Sequence, residues 1–427
     1  MKSLADITAA LAGYDPQSVH VDDVVNIACS LVTSLRHDPT QFETRSIGDA
    51  TGRVLALDVI SPISVPPNDN SAMDGYAFVF GDWDGHTPLR LHVVGRVLAG
   101  DAAQLPQPLQ AGQCVHIMTG APMPVGADTV VPSELTTRDE AGVLVKGGGL
   151  RAGDNRRLLG EDLRAGGVAL AAGQVLHSAA VGLLASLGIA TVTVVRRPRV
   201  AYFSTGSEIL SLGETPRQGA VYDSNRWVML SLLRSWGAEP IDMGVVPDDP
   251  QQLEAAFQRA AAQADLVISS GGVSVGEADH TKAMMRQLGD VVFWRVAMRP
   301  GRPMAVGRVA GCPVFGLPGN PVAVMVTFLA FVRPALQTLM GTAVSRLPQS
   351  QVRSVAAIRK RPGRTEYQRG FCRIDANGVA CVEVLPNQGS GVLSGMVQAN
   401  CLVVLDHAQD AVAAGDLVTV WWLDRFI

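Results

Sequence analysis

The 427-residue chain contains no C-x-x-C pair, no Walker A motif, no sequence repeat, no low-complexity tract and no heptad run. Each absence removes a class of protein. The six cysteines, at 29, 114, 312, 372, 381 and 401, are dispersed without metal-ligand spacing. A disulfide scaffold and a zinc site are therefore excluded, and the thiols read as buried small hydrophobes in a reducing cytosol. An excess of one charge sign is lacking too: 35 Lys plus Arg stand against 39 Asp plus Glu, a net charge of -4. That balance gives no basic field for nucleic acid. Met1 to Thr8 offers acidic and polar residues where an export signal needs an apolar core, so a cytoplasmic protein is expected. One run, Gln174 to Val195, lacks formal charge over 22 residues. Ser178, Gly182, Ser186, Gly188, Thr191 and Thr193 divide it into a short helix, a Gly188 cap and a β-branched strand, not a membrane span.

What is present is length and alternation. At about 150 residues per domain the chain holds roughly three, and its 47% apolar residues can fill several cores. Val21 to Arg36 repeats apolar residues at a helical period, with Asp22 and Asp23 in the first turn. Arg53 to Ile60 reads as a strand. From Ser64 to Lys146, prolines, glycines and short alternating runs describe a small β-rich domain. Arg151 to Ala169 is its polar return, into the segment that packs with the N-terminal helix. Beyond Arg199, strands over 200–204, 240–246 and 265–270 alternate with helices over 225–236 and 250–263, the pattern of right-handed βαβ units and a mainly parallel sheet. Val322 to Val332 reads as an 11-residue buried core helix. Past Gly341, five short strands separated by turns suggest a small closed β domain. The expected fold is multidomain α/β plus β. Its parts are a discontinuous N-terminal domain (1–60 plus 152–196), a β-rich domain (61–151), a central α/β domain (197–344) and a C-terminal β-barrel-like domain (345–427).

The chemistry concentrates in Ser269-Ser270-Gly271-Gly272-Val273-Ser274-Val275-Gly276-Glu277-Ala278-Asp279, which follows the apolar run Leu266 to Ile268. Gly271, Gly272 and Gly276 permit positive φ and close backbone approach, so successive N–H groups can converge on a phosphate at a strand's carboxyl end. Glu277 and Asp279 add carboxylates beside that anion, a combination that calls for a hard cation such as Mg²⁺. Ser204-Thr205-Gly206-Ser207-Glu208 and Val246 to Asp249 fall at the ends of neighbouring strands, where ligands bind in such sheets. In Arg299-Pro300-Gly301-Arg302-Pro303 two prolines restrain a pair of guanidinium forks suited to a tetrahedral oxyanion. Each acid also has a structural reading as a solvated group or a helix cap.

These segments, with Pro66-Pro67-Asn68-Asp69-Asn70-Ser71-Ala72-Met73-Asp74-Gly75-Tyr76, Ile117-Met118-Thr119-Gly120 and Leu317-Pro318-Gly319-Asn320-Pro321, resemble the molybdopterin molybdenumtransferase family, which includes the E domain of gephyrin-type proteins. The resemblance covers nearly the whole chain. It implies a molybdopterin-binding α/β domain and an enzyme that inserts molybdate into adenylylated molybdopterin, with Mg²⁺-dependent release of AMP. It implies catalytic roles for Asp74, Thr119, Glu208, Asp248 and Asp279, and metal binding by Asp279, Glu208 and Glu277. Substrate contacts are implied at Asp162, Ser204, Thr205, Gly206, Ser270, Gly271, Gly272, Ser274, Gly276, Arg299, Pro300, Arg302 and Pro303. Relatives more often carry lysines at 299 and 302 and a tyrosine at 280, so contact geometry there departs from the common pattern. An elongated homodimer with shared sites is implied, with transient contacts to the adenylyltransferase and to apo-molybdoenzymes. Two other readings stay open. A molybdopterin adenylyltransferase-like enzyme is disfavoured by the flanking domains, and a non-catalytic scaffold by the acids at 74, 208, 248 and 279.

Overall fold

The structure is a computed structural model that describes residues 8, 15–33, 41–81, 83–100, 107–271 and 288–423. Helix α1 (Val21–Thr33) buries Val24, Ile27, Ala28, Leu31 and Val32, the i, i+3, i+4 stripe that the sequence spacing demands. Its partner is not the 152–196 segment. The buried face lies in one core with the helix Pro321–Leu339 and the strands of the α/β domain. Each of those large apolar side chains contributes about 1.5–3 kcal/mol on burial, which decides where an amphipathic helix docks.

Strand β1 (Phe42–Ser46) pairs antiparallel with β12 (Thr191–Val195), from Phe42 opposite Val195 to Ser46 opposite Thr191. Only β2 (Val59–Ile60) forms within the expected 53–60 strand, paired with β11 (Val168–Leu170). β3 (Asn70–Ser71) pairs with β10 (Arg156–Arg157), so the outgoing and returning chains run side by side. Between them β4 (Gly75–Phe78), β5 (Leu89–Val97), β6 (Gln113–Ile117), β7 (Thr129–Pro132), β8 (Thr136–Asp139) and β9 (Gly142–Val145) form a half-barrel in the order β7-β4-β6-β5-β9-β8. The uncharged run resolves as read, with α2 (Ser178–Ser186), Gly188 at φ 71° and then β12.

The central sheet has the order β16-β13-β17-β21-β20-β18, built from β13 (Arg199–Thr205), β16 (Glu239–Val246), β17 (Leu266–Ser270), β18 (Gly289–Arg295), β20 (Pro303–Val309) and β21 (Cys312–Leu317), while the short β14 (Ile209–Leu210) and β15 (Val221–Tyr222) pair with each other. Its first four strands are parallel, β20 runs antiparallel to β21, and β18 runs antiparallel to β20. Helix α3 (Ser224–Ser235) is capped by Asp223, whose side chain accepts from Arg226 N, and α4 (Pro250–Gln263) by Asp249 with Pro250 in its first turn. The core helix α5 (Pro321–Leu339) is longer than the 11-residue reading because a π-helical stretch, Phe328–Val332, carries it through to Arg333 and Pro334. Its 19 residues have membrane-span length and apolarity, yet 94% of that span is buried inside the protein. In the C-terminal part β22 (Gln349–Ser354), β23 (Thr365–Ile374), β24 (Ala380–Val384), β25 (Cys401–Leu405) and β26 (Leu417–Trp422) pair around a closed ring. The short strand β19 (Met298–Arg299) adds to this barrel in parallel with Thr365–Glu366.

Candidate active site

Three parallel strands end side by side. In register Ser204 lies opposite both Val245 and Ser270, so Thr205-Gly206, Val246 to Asp248 and Gly271 emerge from one edge of the sheet. Ser207 N donates to Asp248 Oδ2 at 3.2 Å, and Arg217 fastens the turn by donating to Ser207 O at 2.6 Å. The Glu208 carboxylate folds over Gly206, where an added Cβ would stand 2.7 Å from Oε2. Gly271, at φ 90°, cannot carry a side chain because a Cβ would fall on the Thr205 carbonyl oxygen. Its N–H donates to Leu317 O at 3.2 Å, which draws the end of β21 and the turn at Gly319 into the same edge. Ser204, Thr205, Gly206, Glu208, Asp248, Ser270 and Gly271 are thus brought together as expected. Gly272, Ser274, Gly276, Glu277 and Asp279 lie outside the described residues.

Below that edge a buried polar chain joins Ser204 and Ser270 to Tyr202 and Asp223, neither of which the sequence marked as a site residue. Tyr202 OH bonds Ser204 Oγ at 2.9 Å and Ser270 Oγ at 2.6 Å, and Ser204 donates to Asp223 Oδ1 at 2.9 Å. Tyr202 and Ser204 stand two residues apart on one face of β13, a period-two polar pair inside an apolar strand that marks it in retrospect. Burial pushes the Tyr202 hydroxyl above its ordinary range, so it remains a protonated hydrogen-bonding group.

Asp74 and Thr119 form a second cluster on the half-barrel. The Thr119 hydroxyl and N–H donate to Asp74 Oδ1 at 2.6 and 2.7 Å, and these two bonds hold the carboxyl below its usual range. Asp162 is exposed on the returning chain, its N–H donating to Val65 O at 3.0 Å. Among the described residues no hydrogen bond joins Asp74, Thr119 or Asp162 to the strand-end cluster.

Arg299 and Arg302 are exposed, with Gly301 between them packed so closely on α5 that a Cβ would meet Thr327 Cγ2 at 2.5 Å. Arg299 and Pro300 line a cleft of about 700 Å³ against the barrel, together with Arg359, Lys360, Arg361 and Arg364. Glu366 and Glu383 are the acids on its wall. Lys360, buried, donates to the carbonyls of Arg361 and Gln409 at 2.8 and 3.3 Å. This concentration of cations in a chain of net charge -4 suits an anionic ligand. Among the described residues no group of three His, Cys, Asp or Glu side chains forms a ready metal cage.

A strand-end glycine turn ringed by acids, a basic cleft and flanking β domains define a multidomain binder of small anionic ligands built on an α/β sheet. Family models narrow this. Residues 19–188 match the MoeA N-terminal region (domain I and II), 201–338 the probable molybdopterin binding domain, and 351–423 the MoeA C-terminal region (domain IV). The chain belongs to the MoeA family. It is 41% identical to the molybdopterin molybdenumtransferase of Haemophilus influenzae, covering 90% of this chain and 94% of that one. It is 38% identical to molybdopterin molybdenumtransferase 2 of Mycobacterium tuberculosis, over 88% and 94%. Among solved structures, a molybdopterin biosynthesis moeA protein from Pyrococcus horikoshii superposes with a TM-score of 0.79 at 26% identity, covering 95% of this chain and all of that one.

Proposed function

We propose that this chain is a molybdopterin molybdenumtransferase, inserting molybdate into adenylylated molybdopterin with Mg²⁺-dependent release of AMP. The observation that carries the reading is relatedness along almost the full length to proteins of that name. The strand-end edge supports it with acids at 208 and 248 beside the glycine turns at 206 and 271. Its oxygen-only donors suit Mg²⁺. Glu208, with Glu277 and Asp279, would hold the cation, which supplies charge neutralisation between the carboxylates and the phosphates. Gly272 and Gly276 would offer main-chain N–H groups to the diphosphate, and Gly271, whose own N–H is taken by Leu317 O, turns the chain towards it. Thr205 and Gly206, with Ser274, would border the diphosphate, while Ser204 and Ser270 lie buried beneath that edge. Arg299 and Arg302, each followed by a proline, attract molybdate as cargo and orient it for insertion. Asp74 and Thr119 complete the site from the half-barrel of a second copy, and Asp162 borders it. The working form in this reading is a cytoplasmic homodimer, meeting an adenylyltransferase and apo-molybdoenzymes only transiently. Exposed Leu57, Ile60, Ile63, Leu158, Leu159 and Val168 on the paired outgoing and returning chains supply an apolar face for that dimer.

The test is direct. Purified protein is incubated with adenylylated molybdopterin, Mg²⁺ and molybdate while AMP and the metal-containing cofactor are followed. Release of AMP that requires both protein and molybdate is the expected result, and absence of AMP and of cofactor removes the reading.

A further inference from the structure

The buried chain beneath the strand ends has a fixed direction. Asp223 Oδ1 accepts from Arg226 N at 3.0 Å and from the Ser204 hydroxyl at 2.9 Å. Ser204 has then spent its only hydrogen, so Tyr202 must donate the 2.9 Å bond between them. Tyr202 is now spent as well, and Ser270 must donate the 2.6 Å bond to it. All three hydroxyl hydrogens point towards Asp223. Ser270 Oγ, beside Gly271, is left with lone pairs only.

Two more acceptors stand unmet in the same place. Among the described residues Asp223 Oδ2 and Asn225 Oδ1 are buried without any hydrogen-bond donor, on residues exposed by only 4% and 9%. Asn225 Nδ2 donates to Gly319 O at 2.7 Å, which fixes the amide's orientation and leaves Oδ1 as the free end. Gly319 in turn lies against Gly271, 3.8 Å from its Cα by an added Cβ. An unpaired buried acceptor costs roughly 1–3 kcal/mol, so Asp223 Oδ2 and Asn225 Oδ1, together with the spare lone pairs of Ser270 Oγ, are an unmet demand for donors.

We propose that Ser270, Asp223 and Asn225 form an acceptor-only floor that reads N–H or O–H donors of the substrate, with Asp223 as the positioning residue that imposes this polarity through Ser204 and Tyr202. The proposal rests on the functional reading above and deepens it: this floor takes a ring N–H, exocyclic amine or hydroxyl, and it rejects phosphate oxygens, which carry no hydrogen. The donor belongs either to the pterin or to the nucleotide of the adenylylated substrate. A cation is the opposing occupant, disfavoured by the positive end of α3 at residues 223–226.

Calorimetric titration of AMP, of adenylylated molybdopterin and of Mg²⁺ alone into wild type, Asp223→Asn, Tyr202→Phe and Ser270→Ala tests this. Each variant is expected to bind adenylylated molybdopterin about tenfold more weakly, at little change in melting temperature and with the molybdate requirement unchanged. A parallel loss for AMP assigns the donor to the nucleotide, and an unchanged AMP affinity assigns it to the pterin. The Tyr202→Phe/Asp223→Asn double variant should be no weaker than Asp223→Asn alone, because both break one chain. Tyr202→Phe and Ser270→Ala leave the helix cap intact, so the test stands if Asp223→Asn fails to fold. Unchanged affinity in both of those variants, losses that multiply in the double variant, or Mg²⁺ binding to wild type that Asp223→Asn abolishes would each overturn the proposal. Failure of wild type to bind either compound overturns the functional reading itself.

Discussion

Asp74 is exposed, yet it receives two donors from a single residue, Thr119. Both bonds favour the charged form, so stability or activity that depends on this carboxylate is present at neutral pH and is lost only as pH falls below the usual aspartate range. Thr119→Val should move the Asp74 titration up towards its ordinary value, which carbon-detected NMR can follow. Adjacent acids at the next strand end separate two roles. Asp249 accepts from Gln252 N at 2.9 Å as the cap of α4, so Asp249→Ala should cost about 1 kcal/mol in denaturant unfolding with little change in turnover. Asp248 instead ties to Ser207 N beside Glu208, and Asp248→Ala should reduce turnover more than stability. Equal effects of the two substitutions on turnover would refute the division. For Arg302→Ala, the molybdate concentration giving half-maximal AMP release should rise while affinity for adenylylated molybdopterin holds. A fall in pterin affinity would mean that Arg302 reads phosphate.

Elements whose burial follows local spacing were legible. α4 runs over the same residues in sequence and structure, 250–263, because one apolar face and a clear cap bound it. β1 escaped because Phe42-Glu43-Thr44-Arg45-Ser46 looks too charged for a strand. Its charges are absorbed by neighbours, since Glu43 accepts from both Arg45 and Arg53. The end of α5 escaped because Pro334 normally breaks a helix, whereas here the helix runs on through a π-helical stretch whose Arg333 N–H reaches Phe328 O. Strand-end acids and glycines were readable as a site from order alone. The directed chain from Ser270 to Asp223 was not, because it joins residues 68 apart across strands that no local pattern links. Gly271→Ala tests the element-level packing: its Cβ has no room against Thr205, so the variant should lose several kcal/mol or fail to fold, measured by thermal unfolding.

At the scale of the molecule, Asp74 and the strand-end acids sit in separate units, with no hydrogen bond between them among the described residues. If two copies share their sites, mixing inactive Asp74→Asn chains with inactive Asp279→Asn chains should restore up to about half of native activity, because one of two sites per heterodimer is intact. Inactive verified heterodimers, from variants that remain folded singly, would rule out sharing. The docking of α1 onto α5 bears on how the chain is made. α1 ends at Thr33 and its partner begins at Pro321. A ribosome adding about 5–20 residues per second therefore takes roughly 15–60 s to supply the surface that α1 must cover. During that interval the segment from 41 to 196 can close its own paired strands, while the apolar stripe of α1 stays open to whatever else in the cell binds such stripes. Helix α1 is thus a nascent segment for chaperones to hold, and its docking must await synthesis of α5.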